Sequence, residues 1–151
     1  MTRILCDWKT LLKRFFMHKT FLSLGALFGG IAVALGAFGA HGLKGIVSPD
    51  VVSVFQTGVQ YQMYHTLALL VVALVYDRLP NKWIKWSGYL FSCGILFFSG
   101  SLYLITALKA EERSIPVLIG VITPIGGLLF ILGWLSFLIG AFKKNDLEGQ
   151  G

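Results

Sequence analysis

The chain has 151 residues, 56% of them hydrophobic and 13% charged, with a formal net charge of +6. An average soluble domain carries about 25% charged residues, and a chain this apolar could not clothe its surface with polar groups in water, which excludes an ordinary soluble domain. The basic residues fall between apolar runs rather than on one face with interleaved aromatics, which argues against a nucleic-acid surface.

The leader, residues 1–19, carries apolar residues at 4, 5, 8, 11, 12, 15 and 16, with Arg3, Asp7, Lys9, Lys13 and Arg14 between them. That 3.6-residue period describes a basic amphipathic helix lying in the membrane interface, or a basic segment that holds the N-terminus inside. Cys6 lies in this leader and Cys93 mid-membrane, so neither a disulfide nor a cysteine metal site is expected. Cys93 is expected to pack as a small apolar residue.

Four runs are long and apolar enough to span a hydrocarbon core, which takes about 20 helical residues: about 20–40, 59–76, 83–108 and 115–142. The first could be read as a signal peptide, with Ala37, Gly39 and Ala40 as a cleavage site, but it exceeds the roughly 7–15 residues of such an apolar region, so a retained helix is preferred. Its small residues recur at Gly25, Gly29, Ala32, Gly36 and Gly39, one stripe that lets two backbones approach. The stripe is expected to place the first helix at the centre of the bundle, facing either its own chain or a second copy.

The stretch "GAFGAHGLKG" ends the first run at His41 and Lys44. Ser48, Pro49 and Asp50 then give a helix-start signal, with serine at the N-cap and proline at the first helical position. The helix so begun either lies along the outer interface or continues into the second span with a bend near Gly58. In the fourth span Pro124 removes a backbone hydrogen bond and is expected to bend the helix, with Gly126 and Gly127 allowing close packing beyond it. The tail, residues 143–151, is polar.

Placing the N-terminus in the cytoplasm puts ten Lys and Arg residues inside and three outside. The positive-inside rule therefore predicts that both termini are cytoplasmic. With that orientation, the about 1.5 Å rise per residue sets His65 about 9 Å below the outer surface. Apart from Lys85, which is counted with the second loop at the very edge of the third run, no Asp, Glu, Lys or Arg lies within the four runs, which leaves His65 as the one readily titratable group in their interiors.

His65, Tyr61, Gln60, Ser99, Ser101, Tyr103 and Thr123 are expected to form an outward-facing polar cluster, with Gln62 and Tyr64 beside it and His41 at its rim. Such side chains can act as interhelical glue. They can also form a small-molecule, ion or lipid-headgroup site, or a proton-accepting histidine. Two histidines without a carboxylate or thiolate in reach make an incomplete metal shell, and no nucleophile, base and orienting acid can be assembled, so neither a metal, a cofactor nor catalysis is expected.

The runs "LGALFGGIAVALGAFGAHGLK", "FQTGVQYQMYHTLALL", "FSGSLYL" and "ITPIGGLLFILGW", in this order, resemble the domain of unknown function 423 family of small bacterial inner-membrane proteins, over about residues 21–142. The resemblance implies a four-helix integral membrane protein and brings no activity, substrate or cofactor. Its marked positions fall here on Gly39, Ala40, His41 and Gly42, on Thr57, Gly58, Tyr61, Gln62, Tyr64 and His65, and on Ser99, Gly100, Ser101 and Tyr103. They continue at Thr123, Pro124, Gly126 and Gly127. The leader extends beyond the family pattern and inherits nothing from it.

The sequence thus describes an all-α bundle of four transmembrane helices, with membrane lipids and a homo-oligomer as candidate partners. The expected role is a non-enzymatic binding or structural module in the plasma or inner membrane. A small transporter or channel component using His65 and an oligomeric scaffold are the alternatives.

Overall fold

The computed structural model describes residues 18–143, and among them the regular structure is entirely helical. The expected leader helix and most of the polar tail lie outside the described residues. The elements are α1 (Lys19–His41), a 3₁₀ turn (Leu43–Gly45), α2 (Pro49–Arg78) and α3 (Lys82–Gly94). A single turn of π-helix (Ile95–Ser99), α4 (Gly100–Ala110) and α5 (Val117–Phe142) follow. Since α3, the π turn and α4 run on without interruption, four helices of 27, 30, 29 and 26 residues are long and apolar enough to cross a bilayer.

The links at 79–81 and 111–116 are short, so successive helices run antiparallel. At the Lys82 end, the His18 backbone N–H donates to the Ala73 carbonyl and the Asn81 side chain to the Gly140 carbonyl, which ties the start of α1 to α2 and the start of α3 to α5. Large apolar side chains such as Leu27, Val33, Leu67, Leu96 and Leu138 face outward, as a bilayer solvent requires. Cys93 is a free thiol on this outer face, so it does not pack inside as expected.

The helix expected at Ser48 begins there, with Pro49 in its first turn, and continues unbroken to Arg78. The segment is thus part of the second span and does not form a separate interfacial helix. The continuity moves His65 from about 9 Å below one end to about 24 Å along the axis from Pro49, near the middle of α2.

The expectation that the first helix is central does not hold. α1 packs chiefly on α2, whereas α2 also touches α3, the π turn and α4. α2 is the least hydrophobic span, with a mean hydropathy of 1.3, and three of its polar residues, Gln62, His65 and Thr66, are buried against protein. The small-residue stripe gave close contact with one neighbour correctly but said nothing about how many neighbours there are. That neighbour is α2 of the same chain: a Cβ added at Gly25 would meet Leu70, at Gly29 Thr66, at Gly36 Val59 and at Gly39 Phe55.

A second glycine series sets the α3–α5 register. Gly126, Gly133 and Gly140 recur every seven residues, as do their counterparts Phe98, Phe91 and Ile84. Each glycine accepts the facing side chain or, at Gly126, the Phe98 backbone itself. In lipid, where burying apolar surface does little to drive helices together, this close fit supplies the dispersion contacts that hold the pair. Asn81 fixes the end of the series: its Oδ1 accepts from the Trp83 and Ile84 N–H groups, each at 3.1 Å, while its amide reaches Gly140 at 3.0 Å. The Ser136 hydroxyl adds a bond to the Trp83 carbonyl at 2.8 Å.

Candidate functional site

The residues expected to form one polar cluster separate into three interhelical clasps. In the first, the Gln62 side chain reaches from α2 to the Phe28 carbonyl of α1 at 2.8 Å, and its Oε1 accepts the Tyr103 hydroxyl of α4, also at 2.8 Å. Gln62 is buried, and one amide joins three helices.

The second clasp lies nearer the Pro49 end, where the Ser101 and Thr123 hydroxyls meet at 2.7 Å between α4 and α5. Ser101 also donates to the Phe98 carbonyl at 2.8 Å. Ser99, the last residue of that turn, is fully buried, and its hydroxyl has no partner among the described residues. It belongs to neither bonded pair.

The third clasp is built on His65. Its Nδ1 lies 2.8 Å from the Tyr61 carbonyl, and because a carbonyl only accepts, that nitrogen carries the proton. Nε2 is then the acceptor, and the indole N–H of Trp134 on α5 donates to it at 3.3 Å. The imidazole lies flat on Phe130, with centroids 3.4 Å apart and planes 7° from parallel. Tyr61, four residues earlier on α2, stacks on the same ring at 6.0 Å. Trp134 was not among the residues expected here; it reads as one more apolar residue in a long run, and only the tertiary register brings its N–H to His65.

The remaining candidates stand apart. His41, Gln60 and Tyr64 are exposed, and His41 ends α1 outside all three clasps. Pro124 lies inside α5, which remains helical on both sides of it. Gly127 has room for a side chain, its nearest contact being the Phe98 ring at 3.8 Å, whereas Gly126 has none. Pro124 and Gly127 line an open groove of about 630 Å³ beside His65, together with Tyr61, Tyr64, Phe98, Phe130 and Trp134. The lining is aromatic and the groove opens toward the bilayer face. Among the described residues no three His, Cys, Asp or Glu side chains gather as a metal site would require.

The family described as "Protein of unknown function (DUF423)" matches residues 35–127, well over half of the chain. The chain belongs to the DUF423 family. It is 47% identical over 131 residues to a UPF0382 membrane protein of Haemophilus influenzae, covering 87% of this chain and all of that protein. It is 45% identical over 125 residues to one of Staphylococcus aureus, covering 83% of this chain and 97% of the relative. The UPF0382 membrane protein YwdK of Bacillus subtilis is 43% identical over 126 residues, covering 83% of this chain and 98% of YwdK. No solved structure matches. With relatives named as bacterial membrane proteins and four spanning helices, this DUF423 protein is an integral membrane protein.

Proposed function

We propose that this DUF423 protein is a non-enzymatic module of the bacterial inner membrane with both termini in the cytoplasm. Its polar residues hold the helices together, and the groove beside His65 receives an apolar or amphiphilic molecule from the bilayer. One observation carries this reading: both ring nitrogens of His65 are engaged by the protein, by the Tyr61 carbonyl and the Trp134 indole. A histidine that relays protons or coordinates a transported ion needs a free lone pair facing water, and this one spends its lone pair on Trp134. The aromatic lining, open on the lipid side, supports a ligand drawn from the membrane rather than from water. The distribution of basic residues supports the orientation.

The test has two arms. With Cys6 and Cys93 replaced by serine, single cysteines at Gln62, His65 and Thr66 are exposed to a membrane-impermeant maleimide; none should react. Rapid labelling at position 65 would mark a water path and overturn the reading in favour of a transporter. In nanodiscs, a photoactivatable fatty acid should label α5 between Leu128 and Trp134, and Gly127→Phe, which fills the groove, should remove that labelling. Labelling indifferent to Gly127→Phe would remove the groove as a ligand seat.

A further inference from the structure

The outward face of α2 changes character along its length. Ser53, Gln60, Tyr64, Leu67, Val71 and Leu74 form one exposed line at heptad spacing, polar in the Pro49 half and apolar in the other. On α5 the outward line Leu128, Ile131, Leu135 and Leu138 is apolar throughout, as contact with acyl chains requires. Asp50 and Asp77 mark the two ends of α2 about 40 Å apart, so a hydrocarbon core of about 30 Å begins about 5 Å in from each. Gln60 then lies about 10 Å inside that core and Tyr64 near its midplane, both too deep for their polar groups to reach a headgroup. Among the described residues neither side chain has a hydrogen-bond partner, in contrast to Gln62 and Tyr103.

We infer that this line is the interface of a homodimer, in which α2 of one copy packs along α2 of a second and Gln60 bonds to its own counterpart. The membrane decides the geometry. Two copies inserted the same way up are related by a two-fold axis along the bilayer normal, so a residue beside that axis meets itself. Such a position suits only a group that is its own partner: like charges repel, whereas an amide carries both donors and an acceptor, and a phenol hydroxyl both donates and accepts. Gln60 and Tyr64 meet that requirement, and the line holds no charged residue. An amide turned toward acyl chains is left unpaired at a cost, while an amide bonded across a helix pair holds the pair together in lipid. Beyond Tyr64, Leu67, Val71 and Leu74 carry the contact toward the Arg78 end as apolar seam positions. The small-residue stripe of α1 offers no second seam, because α2 of the same chain already occupies it. Tyr61 leaves the line, its ring 4.6 Å from that of Phe98, which sets the groove beside His65 to one side of the dimer contact.

The experiment uses the full chain in liposomes, with a donor or an acceptor fluorophore at the C-terminus, and reads association by energy transfer as the protein is diluted in lipid. The wild type should dimerise, and Gln60→Leu should raise the dimer dissociation constant about tenfold. A second arm keeps Gln60 and locates the contact. With Cys6 and Cys93 replaced by serine, Ser53→Cys and Leu67→Cys should each give a covalent dimer on oxidation in membranes, and Leu138→Cys, on the outward face of α5, should give none. A wild type that stays monomeric at every dilution overturns the inference. So does a dimer that Gln60→Leu leaves equally tight, crosslinking absent at positions 53 and 67, or crosslinking as strong at position 138.

Discussion

Trp134 donates its indole N–H to Nε2 of His65 across the α2–α5 contact, at 3.3 Å, while the Phe130 ring one turn away on α5 covers the face of the same imidazole. The only histidine within the hydrophobic middle of the bundle is therefore a structural joint, with both nitrogens and one face committed.

Trp134→Phe keeps the ring and removes the donor. It should lower stability in detergent by about 1 kcal/mol, the upper part of what interhelical hydrogen bonds contribute in lipid. His65→Leu should cost more, since the stack on Phe130 is lost too, and aromatic pairs add about 0.5–1.5 kcal/mol. Reversible unfolding in SDS checks both; a Trp134→Phe protein as stable as the wild type would show that the N–H contact contributes nothing.

Gly126 and Gly127 are adjacent in sequence and opposite in demand. A Cβ at Gly126 would overlap the Phe98 backbone, which cannot step aside as a side chain can, so Gly126→Ala should cost about 3 kcal/mol. Gly127→Ala should be neutral or stabilise by up to about 1 kcal/mol through helix propensity. Thermal unfolding of the two variants separates them.

The Gln62–Tyr103 bond can be measured by a double-mutant cycle. Gln62→Leu, Tyr103→Phe and the double variant should give a coupling of about 0.6–1.7 kcal/mol. Gln62→Leu alone should be the costlier single change, because it also releases the Phe28 carbonyl. Additive effects would dissolve the clasp.

Acid should loosen the Lys82 end. Burial and the Lys85 ammonium hold the His18 imidazole below the usual histidine range. The unfolded chain therefore takes up a proton first as pH falls. The His18 contribution is fully present above the unfolded value of about 6.5 and is lost as pH drops below it, through the folded pKa. His18 stacks on Phe21 at 4.2 Å, so His18→Phe can keep the contact without the titration. Melting temperatures at pH 7.5 and 5.5 should fall further for the wild type than for His18→Phe; equal falls would assign the effect to other groups.

Length and hydropathy were enough to find the four spans, because a bilayer demands about 20 apolar residues whatever the packing. The start of α2 was legible in Ser48 and Pro49, but its continuity was not, because Gln56, Gln60 and Gln62 dilute the apolar signal over the first turns. The clasping residues Gln62, Tyr103, Ser101 and Thr123 were legible by type and their pairing was not, since a hydrogen bond between helices depends on register. The seven-residue series Gly126, Gly133, Gly140 is visible in the sequence as a spacing, but only the register shows that it faces Phe98, Phe91 and Ile84. The π turn at Ile95–Ser99 has no local signature of its own, and it lies where the Phe98 backbone meets Gly126.

That α1 leans chiefly on α2 bears on how the protein is made. During synthesis α1 and α2 emerge first, and the contacts of Gly25 with Leu70 and Gly39 with Phe55, together with the Gln62 bond to Phe28, are complete within those two helices. The nascent chain thus holds a finished hairpin before α5 exists. Tyr103 and Trp134 bond to α2 later, and α5, made after the other three spans, closes the bundle over His65.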